Sequence, residues 1–427
     1  MNRVSTAKRM LVQKGPLLAL SACLVFSNFF ITLVIASKLG FGVGLDTYYL
    51  ALAIYLFFLT LIGWSLTNVI TPYLIQHGIE RNFSKVFYVV CVWGGAVLLG
   101  SVLLSPLLSS LIFNNYKSDN SLYYLNSIFI IACFIFFADL LAQVFICLEN
   151  ASSRFVRAAA INLFSSLVGL ALSFYLVDYF NAVGALITQF TIKLVLLLSL
   201  LFLNRKYLYS YAYDTYVAKI IFSKAKYFFI SGLFYRTEDL TEKLIASYLA
   251  PGLLSLVSFV QRVYGAVITV FNTVVIAPTL TKFCINVAEN SGDADHKMLK
   301  NVTMAIVLAS CFGFPLIYFF GESLFMLIFS GKVLEVKDNV SITLIVIFPT
   351  FIFFTVSQLL HNFLLSRAKE KEIVLFDSLA YSITLSIKIF MTISYGYMGF
   401  LISIVISPFV KLMFKYYLVL GLIKHEK

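Results

Sequence analysis

Twelve ionisable side chains sit inside stretches that are otherwise apolar: Asp139, Lys193, Arg236, Glu238, Asp239, Glu242, Lys243, Arg262, Asp377, Lys388, Lys411 and Lys415. A charge in such surroundings costs kilocalories unless it meets a partner or water, so each marks an ion pair or a path for something polar. The densest group is Arg236, Glu238, Asp239, Glu242 and Lys243. On a helix, Glu238 and Glu242 share a face, as do Asp239 and Lys243, and Arg236 lies three positions before Asp239. This spacing supports either a ladder of ion pairs that neutralises itself, or a water-filled cavity in which Glu238 and Asp239 hold a coupling ion. Arg262 has no carboxylate within four positions on its own stretch. Its partner must come from elsewhere: Glu238 or Asp239 across a helical hairpin, or phosphate oxygens, which the planar guanidinium fork fits. Lys193 and Lys388 are further cations at depth. Asp377 lies about a turn inside its run, and Lys411 and Lys415 are near enough to an end to snorkel, which reads as structural.

Enzyme signatures are not found. The sequence has no phosphate-binding glycine loop, His77, His296, His361 and His425 have no metal-ligand spacing, and the six cysteines form no CxxC pair. The reading is a carrier with no catalytic residue, no metal and no cofactor.

The elements that must position these charges follow from composition. Of 427 residues, 61% are hydrophobic and 12% charged, against about 45–50% and about 25% in soluble domains. This excludes a soluble fold and intrinsic disorder. A bilayer span needs roughly 20 apolar residues. Twelve runs qualify, at 16–38, 47–75, 86–113, 122–148, 158–178, 181–203, 227–249, 252–280, 301–329, 340–366, 373–395 and 398–423. The expected fold is therefore an all-α polytopic membrane protein. The first run is read as a retained helix, being too long for a signal peptide. Loops and tails on one side carry twenty-one Lys and Arg against four on the other, which places both termini in the cytoplasm. The net charge of +12 is then explained by topology and anionic lipid, with no nucleic-acid partner.

The chain also repeats itself. Ile35-Ala36-Ser37, Leu39 and Gly42 lead to Ile70-Thr71-Pro72-Tyr73-Leu74; Ile245-Ala246-Ser247, Leu249 and Gly252 lead to Ile276-Ala277-Pro278-Thr279-Leu280. Two six-helix lobes in the same orientation are expected, an N-lobe at 1–203 and a C-lobe at 227–427, with a site between them. The connector at 204–226 carries Val217, Ile220 and Ile221 with Tyr213 and Tyr216 along one stripe and Lys219, Lys224 and Lys226 beside it, the pattern of an amphipathic helix on the inner leaflet.

Two lobes of six helices with a basic connector resemble the MOP flippase superfamily, which includes MATE drug exporters, Wzx-type polysaccharide flippases and MurJ/MviN lipid II flippases. The local match is to MurJ/MviN. Ala36-Ser37-Lys38-Leu39-Gly40 through Gly44, then Asp46-Thr47-Tyr48-Tyr49-Leu50-Ala51 and on to Pro72, resembles that family's first signature. Ile245 to Leu249, Pro251-Gly252, Gln261-Arg262-Val263-Tyr264 and Ile276-Ala277-Pro278 resemble its helix 7–8 segment. Departures are plain: Tyr55, Leu56 and Leu59 stand where the family has Pro-Asn and Arg, Gly63-Trp64-Ser65 replaces Glu-Gly-Ala, and the first span has no arginine. The family usually has fourteen helices, against twelve runs here.

The resemblance implies a monomeric flippase of the bacterial inner membrane. It would move an undecaprenyl-pyrophosphate-linked saccharide, either lipid II or an O-antigen or other polysaccharide unit, by alternating access. Arg236, Arg262, Lys193 and Lys388 would bind the substrate's phosphates. Sodium, proton or potential coupling would use Glu238, Asp239 and Asp377, with Thr392 as a neighbour. Gly42, Asp46, Pro72, Gly252 and Pro278 would serve turns and gating. Rival readings are a MATE-like drug or cation antiporter, against which the central cations speak, and a non-transporting membrane scaffold for envelope assembly.

Overall fold

The structure is a computed structural model that describes residues 2–116, 122–208, 213–288, 292–329, 336–367 and 369–426. Among these every regular element is helical, as the composition requires. Inside a bilayer no water takes up backbone N–H and C=O groups, and a helix satisfies them within the segment. The α-helices are α1 (Asn2–Leu39), α2 (Val43–Phe58), α3 (Trp64–His77), α4 (Ile79–Leu103), α5 (Ser105–Ile112), α6 (Leu122–Ala151), α7 (Phe155–Asn204), α8 (Thr215–Ala246), α9 (Leu253–Phe271), α10 (Ala277–Ala288), α11 (Gly292–Phe329), α12 (Lys337–Ile347), α13 (Pro349–Leu365) and α14 (Glu370–Glu426).

Nine runs of the described residues are long and apolar enough to cross a membrane. Two are of double length, Phe155–Tyr207 and Lys371–Leu422, and each reverses on itself. In α7 the backbone leaves helical geometry at Asn181 (φ 50°, ψ −130°), and Gly169 on the first limb faces Ile192 on the second. In α14 the break is at Gly396 (φ 57°, ψ −135°), and Asp377 on the first limb meets Lys415 on the second. The charge-rich α8 is not among the nine. With α8 added and both hairpins opened out, the described helices line up with the twelve apolar runs.

The chain forms two compact units, Met1–Leu244 and Ile245–Lys427. In the first, α7 packs on α1 and α6, and α6 also packs on α2, α3 and α4. In the second, α13 lies against α14, α11, α10 and α9, with Phe283 and Phe363 edge to face at 5.4 Å in its core.

No break separates the connector from the seventh span: α8 runs through 32 residues, about 48 Å at 1.5 Å per residue. Its start belongs to the first unit. Asp214 accepts the backbone N–H groups of Tyr216 and Val217 at 2.9 and 3.2 Å and the Lys85 ammonium of α4 at 2.8 Å, an N-cap combined with an interhelical ion pair. Val217, Ala218, Ile221 and Ala225 are buried, and Phe222 lies 4.4 Å from the Trp93 ring of α4. The stripe expected to face lipid therefore has Val217 and Ile221 buried within the protein, while Tyr216 is exposed.

The internal repeat has marks the sequence comparison did not use. Each unit carries a π turn between two α-helical stretches, Leu59–Gly63 between α2 and α3 and Asn272–Ile276 between α9 and α10. Pro72 follows inside α3, and Pro278 is the second residue of α10. A proline cannot donate to the carbonyl four residues back. The two hairpins also turn alike. Phe180-Asn181-Ala182-Val183-Gly184 corresponds to Tyr395-Gly396-Tyr397-Met398-Gly399. A Cβ at Gly184 or Gly399 would stand 1.9 Å from the carbonyl oxygen of Leu176 or Met391, so neither position admits a side chain. At the α1–α2 turn the left-handed residue is Gly40 (φ 70°), which ends α1 by donating to Ala36 O at 3.0 Å. Gly42, assigned the turn role from sequence, is extended (φ −167°). Its counterpart Gly252 is left-handed (φ 86°) and caps α9.

Candidate functional site

In the first unit the charges converge on Asp139 of α6. Lys193, from the middle of the second limb of α7, brings its ammonium to 2.8 Å from Asp139 Oδ2. The Tyr55 hydroxyl of α2 donates to the same oxygen, and Gln143 Nε2, one turn along α6, approaches Oδ1 at 3.4 Å. Asp139 is fully buried, whereas the Lys193 side chain is 21% exposed. The carboxylate needs its counter-charge, because a buried ion without one is strongly unfavourable. The pair is lopsided: the anion is sealed among three donors, and the cation's side chain is partly exposed. One turn before Lys193, Gln189 Nε2 donates to the Tyr48 hydroxyl at 3.3 Å. Tyr55, noted from sequence only as a departure from the family pattern, is thus a direct partner of Asp139.

Asp46 is buried in the first turn of α2, where the helix N-terminus favours a carboxylate, and it accepts the Tyr116 hydroxyl. Burial, then the neighbouring Asp46 charge, pushes the Tyr116 hydroxyl well above its usual range. At the opposite end of the unit, buried Glu149 accepts Arg157 Nε at 2.8 Å and Asn204 Nδ2 at 2.7 Å. Arg157 also reaches Asn204 Oδ1 at 3.1 Å. This clamp ties the end of α6 to both limbs of α7 and was not found from sequence.

On α8, Lys243 lies 3.9 Å from Asp239, the i,i+4 pair the spacing indicated, and 3.7 Å from Glu242. Glu242 and Lys243 are buried, Glu238 is half-buried and the Asp239 side chain is 60% exposed. Arg236 lies on this helix, but its side chain is outside the described residues.

In the second unit Arg262 is half-buried at the centre of α9. Lys388 is 2% exposed, and Thr392 donates to its carbonyl at 2.7 Å. Lys415 does not snorkel. It is buried, 3.4 Å from Asp377 and 3.3 Å from Ser357 Oγ of α13. Asp377 and Thr392 lie on one limb of α14, fifteen residues apart, or about 22 Å along the axis. Asp377 and Thr392 therefore cannot share one ion. A second clamp holds Asp295 between Arg367, at 3.0 Å, and Asn286, at 2.7 Å. Pro72 lies inside α3, and the Pro278 side chain is outside the described residues. No group of three or more His, Cys, Asp or Glu with metal-holding geometry occurs among the described residues.

No protein-family model and no curated protein matches the chain. Solved structures do. A lipid II flippase MurJ in an inward closed conformation superposes with a TM-score of 0.76 at 14% identity, covering 94% of this chain and 87% of that one. An inward-facing multidrug-resistance MATE transporter of the MOP superfamily gives 0.71 at 12% identity, covering 96% and 99%. The eukaryotic MATE transporter AtDTX14 gives 0.61 at 13%, covering 98% and 96%. The chain has the all-helical fold shared by MurJ and the MATE transporters of the MOP superfamily.

Proposed function

We propose that this protein is a membrane carrier that moves an undecaprenyl-pyrophosphate-linked saccharide across the cytoplasmic membrane of a bacterium by alternating access of its two lobes. Lys193 is the observation that carries the reading. A mid-span ammonium, its counter-charge sealed behind it and its own side chain accessible, suits an anion arriving from outside the unit. Arg262, central on α9, supplies the guanidinium for phosphate oxygens, with Lys388 and Arg236 as further cations. Glu238 and Asp239 are assigned to coupling by sodium, proton or membrane potential. Asp377 is assigned a structural role, because Lys415 already meets it.

The fold is equally that of MATE transporters, and a carrier of cationic drugs is the second reading. It calls for an acidic or aromatic cavity, and the cations at mid-span weigh against it. The test is transport by the purified protein in liposomes. Translocation of a fluorescent lipid-linked saccharide that fails in Arg262→Ala, recovers partly in Arg262→Lys and leaves abundance unchanged supports the proposal. Dye efflux without lipid translocation overturns it, as does full activity of Arg262→Ala.

A further inference from the structure

The first unit holds a cavity of about 420 Å³ between α3 and α6, within the usual size of a small-molecule pocket. Five of its lining side chains hydrogen-bond without carrying charge: Thr67, Asn68, Thr71, Gln143 and Asn150. Pro72 stands in the wall and offers no N–H to the Asn68 carbonyl, so the backbone contributes acceptor character on the same side. Among the described residues no carboxylate lines the space. Hard cations are held by converging carboxylates and carbonyls at about 2.3–2.6 Å, and a cavity this wide does not close on a bare ion. No Lys or Arg lines it either, which argues against phosphate. The chemistry is that of amides and hydroxyls, which match ring hydroxyls and acetamido groups.

Position adds a second argument. Gln143 is shared: it lines this cavity and approaches Asp139, the partner of Lys193. The cavity thus begins one turn of α6 from the Lys193–Asp139 pair and ends beside Asn150, next to the Glu149–Arg157 clamp. We infer that this cavity is a neutral sugar subsite, which takes a pyranose ring of the substrate while cations elsewhere take its phosphates. The inference rests on the proposed function for the origin of the sugar, but the subsite is testable without transport.

The experiment is isothermal titration of the full-length protein in detergent with N-acetylglucosamine, inorganic phosphate and sodium chloride in separate runs. Saturable sugar binding is expected, weakened about fivefold for each hydrogen bond removed in Thr71→Val and Asn150→Leu. Thr71→Ser should bind like the parent, and melting curves of all variants should coincide with it. Three results overturn the subsite: no saturable heat with the sugar, sugar binding indifferent to both variants, or phosphate or sodium binding that Thr71→Val abolishes. Intact, variant-sensitive sugar binding in a protein that does not translocate lipid would overturn the transport proposal and leave the subsite standing. Normal translocation without sugar binding would do the reverse.

Discussion

Removing Lys193 should harm the protein more than removing the acid it neutralises. In Lys193→Met, Asp139 stays wholly buried and keeps only Tyr55 and Gln143 as donors. Breaking a buried pair by deleting one partner costs about 3–5 kcal/mol. The lower end applies, because the lysine side is 21% exposed and the pair is not wholly enclosed. In Asp139→Asn the orphan is instead an ammonium on a partly exposed side chain, less confined than the sealed carboxylate. The loss is a charge-assisted hydrogen bond, about 1.5 kcal/mol. The double variant Asp139→Asn, Lys193→Met contains no charge, and its amide still accepts the Tyr55 hydroxyl, so it should lose about 1 kcal/mol. The double variant is therefore expected to be about 2 kcal/mol more stable than Lys193→Met alone, roughly 30-fold in the unfolding equilibrium. Unfolding of the four proteins in mixed detergent micelles, followed by tryptophan fluorescence and helical circular dichroism, measures the cycle. Additive single effects, or a Lys193→Met variant no weaker than Asp139→Asn, would refute the sealed-anion argument.

Two other outcomes follow from the fold. Gly184→Ala and Gly399→Ala should each collapse the yield of monodisperse protein, because the added methyl meets a backbone carbonyl, whereas Gly95→Ala and Gly100→Ala have nothing within 4 Å and should express normally; size-exclusion profiles decide it. Asp214 is held below its ordinary range by the Lys85 ammonium first and the Val217 N–H second. A depressed acid stabilises above its unfolded value and loses that contribution as pH falls through the folded one. Amide exchange at Tyr216 and Val217, corrected for intrinsic rates, should therefore stay slow at neutral pH and accelerate in strong acid, and in Asp214→Ala it should be fast throughout.

The sequence made the spans legible because hydropathy reports the solvent around a segment directly. Reversals at Asn181 and Gly396 fell within a few residues of the expected boundaries. The i,i+4 contact of Asp239 with Lys243 was legible too, since helix geometry fixes neighbours along one segment. Pairings between segments were not. Tyr55 and Asp139 are 84 positions apart, and no periodicity says which face of α2 meets which face of α6. Lys415 misled for a related reason: a lysine near the end of an apolar run usually bends to the interface, and only the closed hairpin reveals a carboxylate within reach. Gly42 lies in the α1–α2 turn, but the left-handed residue there is Gly40, since a sequence pattern shows glycines without their dihedral angles.

The π turn at Leu59–Gly63 carries one further implication. A regular helix advances about 100° per residue, and a π turn accommodates an added residue at the expense of that phase. Everything after Gly63 in the same span is therefore rotated relative to everything before it. Tyr55 can address α6 on one bearing while Thr67, Asn68 and Thr71 address it on another, although all four belong to one continuous rod. The bulge acts as an angular offset written into the chain by a single residue. Its register, more than the identity of any one side chain, decides whether the hydroxyls and amides of α3 meet Gln143 and Asn150 or turn away from them.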